Sequence, residues 1–151
     1  MKKEETVDYN IKTAWHAISR MYNKFGQQFG LTSSTGFVLL NIDFEQGTPA
    51  TKIAPLMGLE ARSLTRVLKS LEERKLIHRQ PDEYDRRSVR ILLTDEGKEK
   101  RELARKAVIT LNEEILAQVT PKKMQTFIEV LNQVQNIVND KNLIQEKIKE
   151  I

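Results

Sequence analysis

Arg62, Ser63, Thr65, Arg66 and Lys69 recur at helical spacing, while Leu64, Val67, Leu68 and Leu71 fill the opposite side of the same stretch. On one helix face, these polar types suit the recognition of a base-paired nucleic acid. An arginine fork matches guanine O6 and N7. The hydroxyls of Ser63 and Thr65 can bond bases or phosphate, and Lys69, further along, suits phosphate. The competing reading is a solvated helix face, with Arg66 paired to Ser70 or Glu73. Downstream lies a charged tip, Asp85-Arg86-Arg87-Ser88, followed by the alternating run Val89-Arg90-Ile91-Leu92-Leu93.

The elements needed to position these residues can be read around them. Thr51 can cap a short helix over Lys52–Met57, with Pro55 near its first turn, where a missing N–H costs little. Gly58 permits a sharp turn, and a second helix runs from about Ala61 to Arg74. Two short helices about a glycine turn are the helix-turn-helix pattern. Thr51 and Lys52 would then face the nucleic-acid backbone. Leu76–Gln80 and Arg87–Leu93 are strand-like, with Pro81–Arg86 as the polar tip between them. Residues 32–94 thus have the order of a winged helix-turn-helix, with one helix shaped for the DNA major groove.

Long helices are expected on both sides. Residues 7–29 carry Val7, Ile11, Trp15, Ile18, Tyr22 and Phe25 at helical spacing, with Gly30 as a stop. Thr32 or Ser33 can cap a buried helix expected to end near Gln46-Gly47, with Thr48-Pro49 as a turn. A linking helix over 95–119 opens at Thr94-Asp95-Glu96, with Gly97 tolerated early in it. Pro121 starts a last stretch, 121–151, whose stripe includes Phe127, Leu131, Val134 and Val138. The expected fold is mainly α with a small β-wing, flanked by N- and C-terminal dimerisation helices, all within one domain over 1–151. Val7, Ile11, Trp15, Phe127, Leu131, Val134 and Val138 are the expected dimer contacts. His16 and Trp15 could line an effector cleft, but packing at the dimer seam is favoured.

Composition narrows the function classes. The chain has 151 residues, no cysteine and two histidines. Disulfides and thiol redox switching are excluded, and no metal site or other cofactor is expected. No apolar run approaches a membrane span, and no signal-peptide stretch is seen, so a cytoplasmic protein is expected. Residues 50–93 carry ten Lys/Arg against six Asp/Glu, which is the whole of the +4 net charge. Such a localised excess is the footprint of a phosphate-binding surface. There is no phosphate-cradling glycine loop and no His paired with a nucleophile motif, so an enzyme is not expected.

The whole chain resembles the MarR family of bacterial transcription regulators. The resemblance rests on Lys52-Ile53-Ala54 with Gly58-Leu59, Leu71-Glu72-Glu73 leading into Leu76-Ile77, and Arg79. It rests most on Asp85-Arg86-Arg87-Ser88, closing with Leu93-Thr94-Asp95-Glu96-Gly97. The wing is most similar to that of the SlyA-like branch. The resemblance implies that Arg87 enters the minor groove, that Asp85 orients it, and that Arg86 and Arg90 hold the DNA backbone.

Two positions depart from the family pattern. Lys75 stands where a glycine is usual, so either a left-handed lysine or a different helix end is expected. Gly36 stands where an aromatic is common, beside the cleft that binds small effectors in relatives. The combined expectation is a homodimer on a pseudo-palindromic double-stranded DNA operator, acting as a repressor and released by a small-molecule effector whose lining residues the sequence does not name. The alternative is a helical protein-interaction module that uses the winged fold without specific DNA binding.

Overall fold

The computed structural model describes residues 1–58, 61–83, 85, 88–140 and 147–149. The elements are α1 (Val7–Gln27), α2 (Ser33–Leu40), β1 (Thr48–Pro49), α3 (Ala50–Met57), α4 (Ala61–Glu73), β2 (Ile77–Pro81), β3 (Val89–Leu93), α5 (Asp95–Gln118) and α6 (Pro121–Asn139). The fold is mainly α with a small antiparallel sheet in the order β1-β3-β2. The chain divides into two compact units, residues 1–108 and 109–151. No helix among the described residues is long and apolar enough to cross a membrane.

The first unit holds the buried core. Leu64, Leu68 and Leu71 of α4 pack with Val38, Leu39 and Ile42, with Ile53 of α3, and with Ile77, Ile91 and Leu93 of the sheet. Each such side chain stabilises the fold by about 1.5–3 kcal/mol relative to exposure. The same burial fixes which face of α4 looks outward. Trp15 and Tyr22 of α1 pack on the Phe37 ring of α2, with centroids 5.6 and 5.7 Å apart.

Helix ends follow local chemistry. After α1, the Gly30 N–H donates to the Gln27 carbonyl and the Leu31 N–H to the Gly26 carbonyl, with Gly30 at φ +67. This is the reversal glycine makes easily past a helix end. Thr32 and Thr35 cap α2 reciprocally: the Thr35 N–H donates to Thr32 Oγ1 at 3.1 Å and the Thr32 N–H to Thr35 Oγ1 at 2.8 Å.

Four sequence expectations are corrected. The buried second helix stops at Leu40 rather than near Gln46: the Asn41 and Ile42 amides still bond back to α2 carbonyls, but the Glu45 and Gln46 amides are taken by the Asp43 carboxylate and are lost to a continuing helix. Thr48-Pro49 is not a turn but an edge strand on β3, with Thr48 opposite Ile91 and Pro49 opposite Arg90; an edge position tolerates the missing proline N–H. Thr51 is not a cap, since α3 begins at Ala50 behind Pro49. Pro55 consequently lies inside α3 rather than in its first turn.

The second unit contains the C-terminal part of α5 and all of α6. Thr120 caps α6, with Pro121 at its first position. None of the described residues of α6 is buried, and Phe127, Ile128, Val130 and Val138 are exposed.

Candidate nucleic-acid interface

The outward face of α4 is polar along its length. Arg62, Ser63, Thr65, Arg66 and Lys69 are all exposed, while Leu64, Leu68 and Leu71 lock the opposite face into the core. The turn before α4 is made by Gly58, which closes α3 at φ +59 with its N–H on the Pro55 carbonyl. Lys69 Nζ lies 3.8 Å from Glu73 Oε1, one helical turn away. Thr51 and Lys52 are exposed on α3.

β2 and β3 form the wing, in register from Ile77 opposite Leu93 to Pro81 opposite Val89. Ile91 and Leu93 point into the core as the alternation predicts, whereas Val89 at the far end of the strand is exposed. Toward the tip, the Asp82 N–H donates to the Ser88 carbonyl at 3.0 Å and the Ser88 N–H to the Asp85 carbonyl at 2.8 Å. Arg86 and Arg87 lie outside the described residues, so the expected pairing of Asp85 with Arg87 does too. Asp85 itself is exposed.

Arg90 sits toward the tip end of β3, opposite Gln80, but its side chain is turned onto protein acceptors. Its Nε and Nη2 donate to Asp82 Oδ2 at 2.9 and 2.8 Å, and its Nη1 donates to the carbonyls of Gln46 and Gly47, each at 3.2 Å. On the outer side, Arg79 of β2 ties the wing to α4 through Glu72, at 3.1 Å.

The turn that receives Arg90 is itself well anchored. Asp43 Oδ1 accepts from the Gln46 N–H at 2.7 Å and the Glu45 N–H at 3.0 Å, and the Asp43 N–H donates to Thr48 Oγ1. Those two amides, with lesser help from the Arg101 and Arg90 charges, hold the Asp43 carboxyl below the usual carboxylate range. Arg101 of α5 donates to the Ile42 carbonyl, and Lys98 and Arg101 lie over the Phe44 ring at 5.0 and 5.6 Å.

At the other end of the wing, the chain is clasped. Thr94 donates its N–H to the Leu76 carbonyl at 3.1 Å and its hydroxyl to the Lys75 carbonyl at 2.7 Å, while Thr94 Oγ1 accepts from the Gly97 N–H at 3.0 Å. Gly97 was expected to be merely tolerated. It is required, because a Cβ there would collide with the Leu76 carbonyl.

The MarR family model matches residues 31–89, from just before α2 to the first residue of β3. Among curated relatives, the HTH-type transcriptional regulator SarZ of Staphylococcus epidermidis is 25% identical over 123 residues, covering 82% of this chain and 75% of SarZ. Over residues 31–89 the chain matches the MarR family. Two solved structures share its fold. The S. aureus MepR–DNA complex has a TM-score of 0.79 at 22% identity, covering 87% of this chain and 97% of MepR. CouR from Rhodococcus jostii, bound to p-coumaroyl-CoA, has a TM-score of 0.78 at 21% identity, covering 89% and 94%. The MarR family match and the curated regulator relatives support a winged helix-turn-helix, DNA-binding regulator of transcription.

Within this MarR-like head, sequence reasoning missed Gln46, Gly47 and the role of Asp82. An arginine at a half-buried position of a β-strand needs acceptors, and that demand was the available signal. The carbonyls that meet it lie more than forty residues earlier and carry no side-chain signature.

Proposed function

We propose that the chain acts as a homodimeric repressor that reads a pseudo-palindromic DNA operator. The observation that carries this reading is the outward face of α4, where Arg62, Ser63, Thr65, Arg66 and Lys69 are exposed together above a buried leucine row. Arg62 and Arg66 would read base edges, with Ser63 and Thr65 bonding bases or phosphate. Lys69, Thr51 and Lys52 would meet phosphate. The wing, through Asp85, Arg86 and Arg87, would reach the neighbouring minor groove.

Dimerisation is supported by apolar surface left uncovered in the single chain. Val7, Ile11 and Trp15 of α1 are exposed, as are Phe127 and Val138 of α6, with Leu131 and Val134 half-buried. Two copies would present two reading heads to half-sites about one helical turn apart. A small-molecule effector is supported by an apolar cavity of about 30 Å³ between α1, α2 and the Ala104–Val108 stretch of α5, lined by Tyr22, Phe25, Phe37, Leu40 and Ala104 among others. That space is small and lined almost wholly by apolar groups. An apolar effector that binds better when these helices are parted would favour a head spacing unfit for DNA.

The test is retention of fragmented host genomic DNA by the purified protein at near-physiological salt, followed by sequencing. Enrichment of a short inverted repeat is expected. Retention that is sequence-independent, or absent, would overturn the operator reading and leave the winged fold as a protein-interaction module.

A further inference from the structure

We propose that Arg90 is a positioning residue of the DNA-reading apparatus: it braces the wing against the 43–47 turn and does not itself contact phosphate. The inference rests on the reading that the wing meets DNA. It reassigns a residue that the family resemblance would place on the DNA backbone.

The geometry carries the argument. The Asp82 side chain is only 4% exposed and that of Arg90 18%. Asp82 Oδ2 receives both Nε and Nη2 of Arg90, while Asp82 Oδ1 accepts the Asp85 N–H at 3.2 Å. The remaining arm, Nη1, reaches the Gln46 and Gly47 carbonyls. One guanidinium therefore joins the tip side of the wing, its inner strand and a turn fixed by its own Asp43 bonds and, through Arg101, to α5. A planar fork with donors on three nitrogens can do this, and a lysine ammonium on a flexible stem cannot reproduce it. All three nitrogens of Arg90 are engaged with protein acceptors.

Two measurements on the full-length protein decide the matter. The first needs no DNA. Amide hydrogen exchange of Arg90→Gln and Arg90→Lys should be faster at Asp82, Ser88 and the β1–β3 pairs, with the Leu76 amide at the end of α4 as protected as before. Unchanged exchange in the wing overturns the brace, as does full rescue by lysine. If Arg90→Gln also loses core protection, Arg90→Lys keeps the comparison interpretable.

The second measurement is the salt dependence of binding to duplex DNA. Arg90→Gln should weaken binding by about tenfold while leaving the slope of log K against log salt unchanged; a slope reduced by about one marks a phosphate contact and overturns the proposal. Asp82→Asn separates the two roles by sign. It should weaken binding as Arg90→Gln does. If Arg90 were a phosphate contact, removing the acid that holds it would strengthen binding instead. Should the unaltered protein show no salt-dependent binding of duplex DNA, the DNA reading fails, and the exchange measurement still judges the brace.

Discussion

The Leu76 N–H donates to the Leu71 carbonyl at 2.9 Å, turning the chain back over the end of α4 and into the wing. Lys75, between them, makes the reversal at φ +57, the one non-glycine residue with positive φ among those described. A lysine there carries a Cβ penalty that glycine avoids, partly offset by the greater freedom glycine loses on folding. Lys75→Gly is expected to stabilise the protein by about 0.5–1 kcal/mol. The check is a higher urea midpoint at unchanged slope; a lower midpoint would mean that the lysine side chain contributes more than its backbone costs.

Gly97 and Gly36 should respond oppositely to the same change. At Gly97 a Cβ meets the Leu76 carbonyl, so Gly97→Ala should cost about 1–3 kcal/mol. At Gly36 the nearest atom to a Cβ is the Ala104 Cβ at 3.5 Å, an ordinary contact. Gly36→Ala should therefore be neutral or stabilise α2 by up to about 1 kcal/mol. Thermal unfolding of the two variants side by side tests both.

On α4, the residues should divide by the kind of contact they make. Arg62→Ala and Arg66→Ala are expected to cost about 1–3 kcal/mol each on the preferred site and to relax sequence preference. Lys69→Ala should weaken all sequences alike and lower the salt slope by about one. Arg87→Ala is expected to cost about 1–3 kcal/mol without unfolding the protein. Binding titrations against matched and scrambled duplexes at several salt concentrations distinguish these patterns.

Self-association should depend on the exposed apolar stripes. Ile11→Asp and Phe127→Asp each place a charge where desolvation would be needed, and each should raise the dimer dissociation constant by at least about tenfold. Sedimentation equilibrium reads this directly. Unchanged association in both variants would remove these helices from the dimer contact.

The turn at Asp43 should be sensitive to acid. Its carboxyl titrates below the usual range because the Gln46 and Glu45 amides bond its ionised form. A depressed folded-state value gives stability that is present above the unfolded value, near pH 4, and is lost as pH falls through the folded one. The Gln46 and Glu45 amide shifts, followed by NMR, should therefore titrate with a midpoint below that of a free aspartate. A midpoint at or above the free value would show that the amides do not favour the charged form.

The helix-turn-helix was legible because Leu64, Leu68 and Leu71 repeat at helical spacing and Gly58 marks the turn. The wing was legible from Ile91 and Leu93, which alternate as a half-buried strand must. Other features depended on groups distant in sequence. β1 is two residues long, too short for any alternation to show. The need for Gly97 comes from a main-chain carbonyl at Leu76, and main-chain groups look alike in every sequence. Arg90 read as one more basic residue of a basic segment, because nothing local reveals that Gln46 and Gly47 end beside it.

The clasp between Thr94 and Leu76 has a consequence for how such a chain can vary. The wing leaves and rejoins the body at positions held together by a backbone hydrogen bond, with the Thr94 hydroxyl secured on Lys75 as a second tie. A loop whose two feet are pinned does not transmit its own length to what it stands on. Residues inserted or deleted between Asp82 and Ser88 would alter how far the tip reaches while leaving α4 and the start of α5 in place. Reach and reading thus become separately adjustable traits, and relatives could diverge in the one without relearning the other.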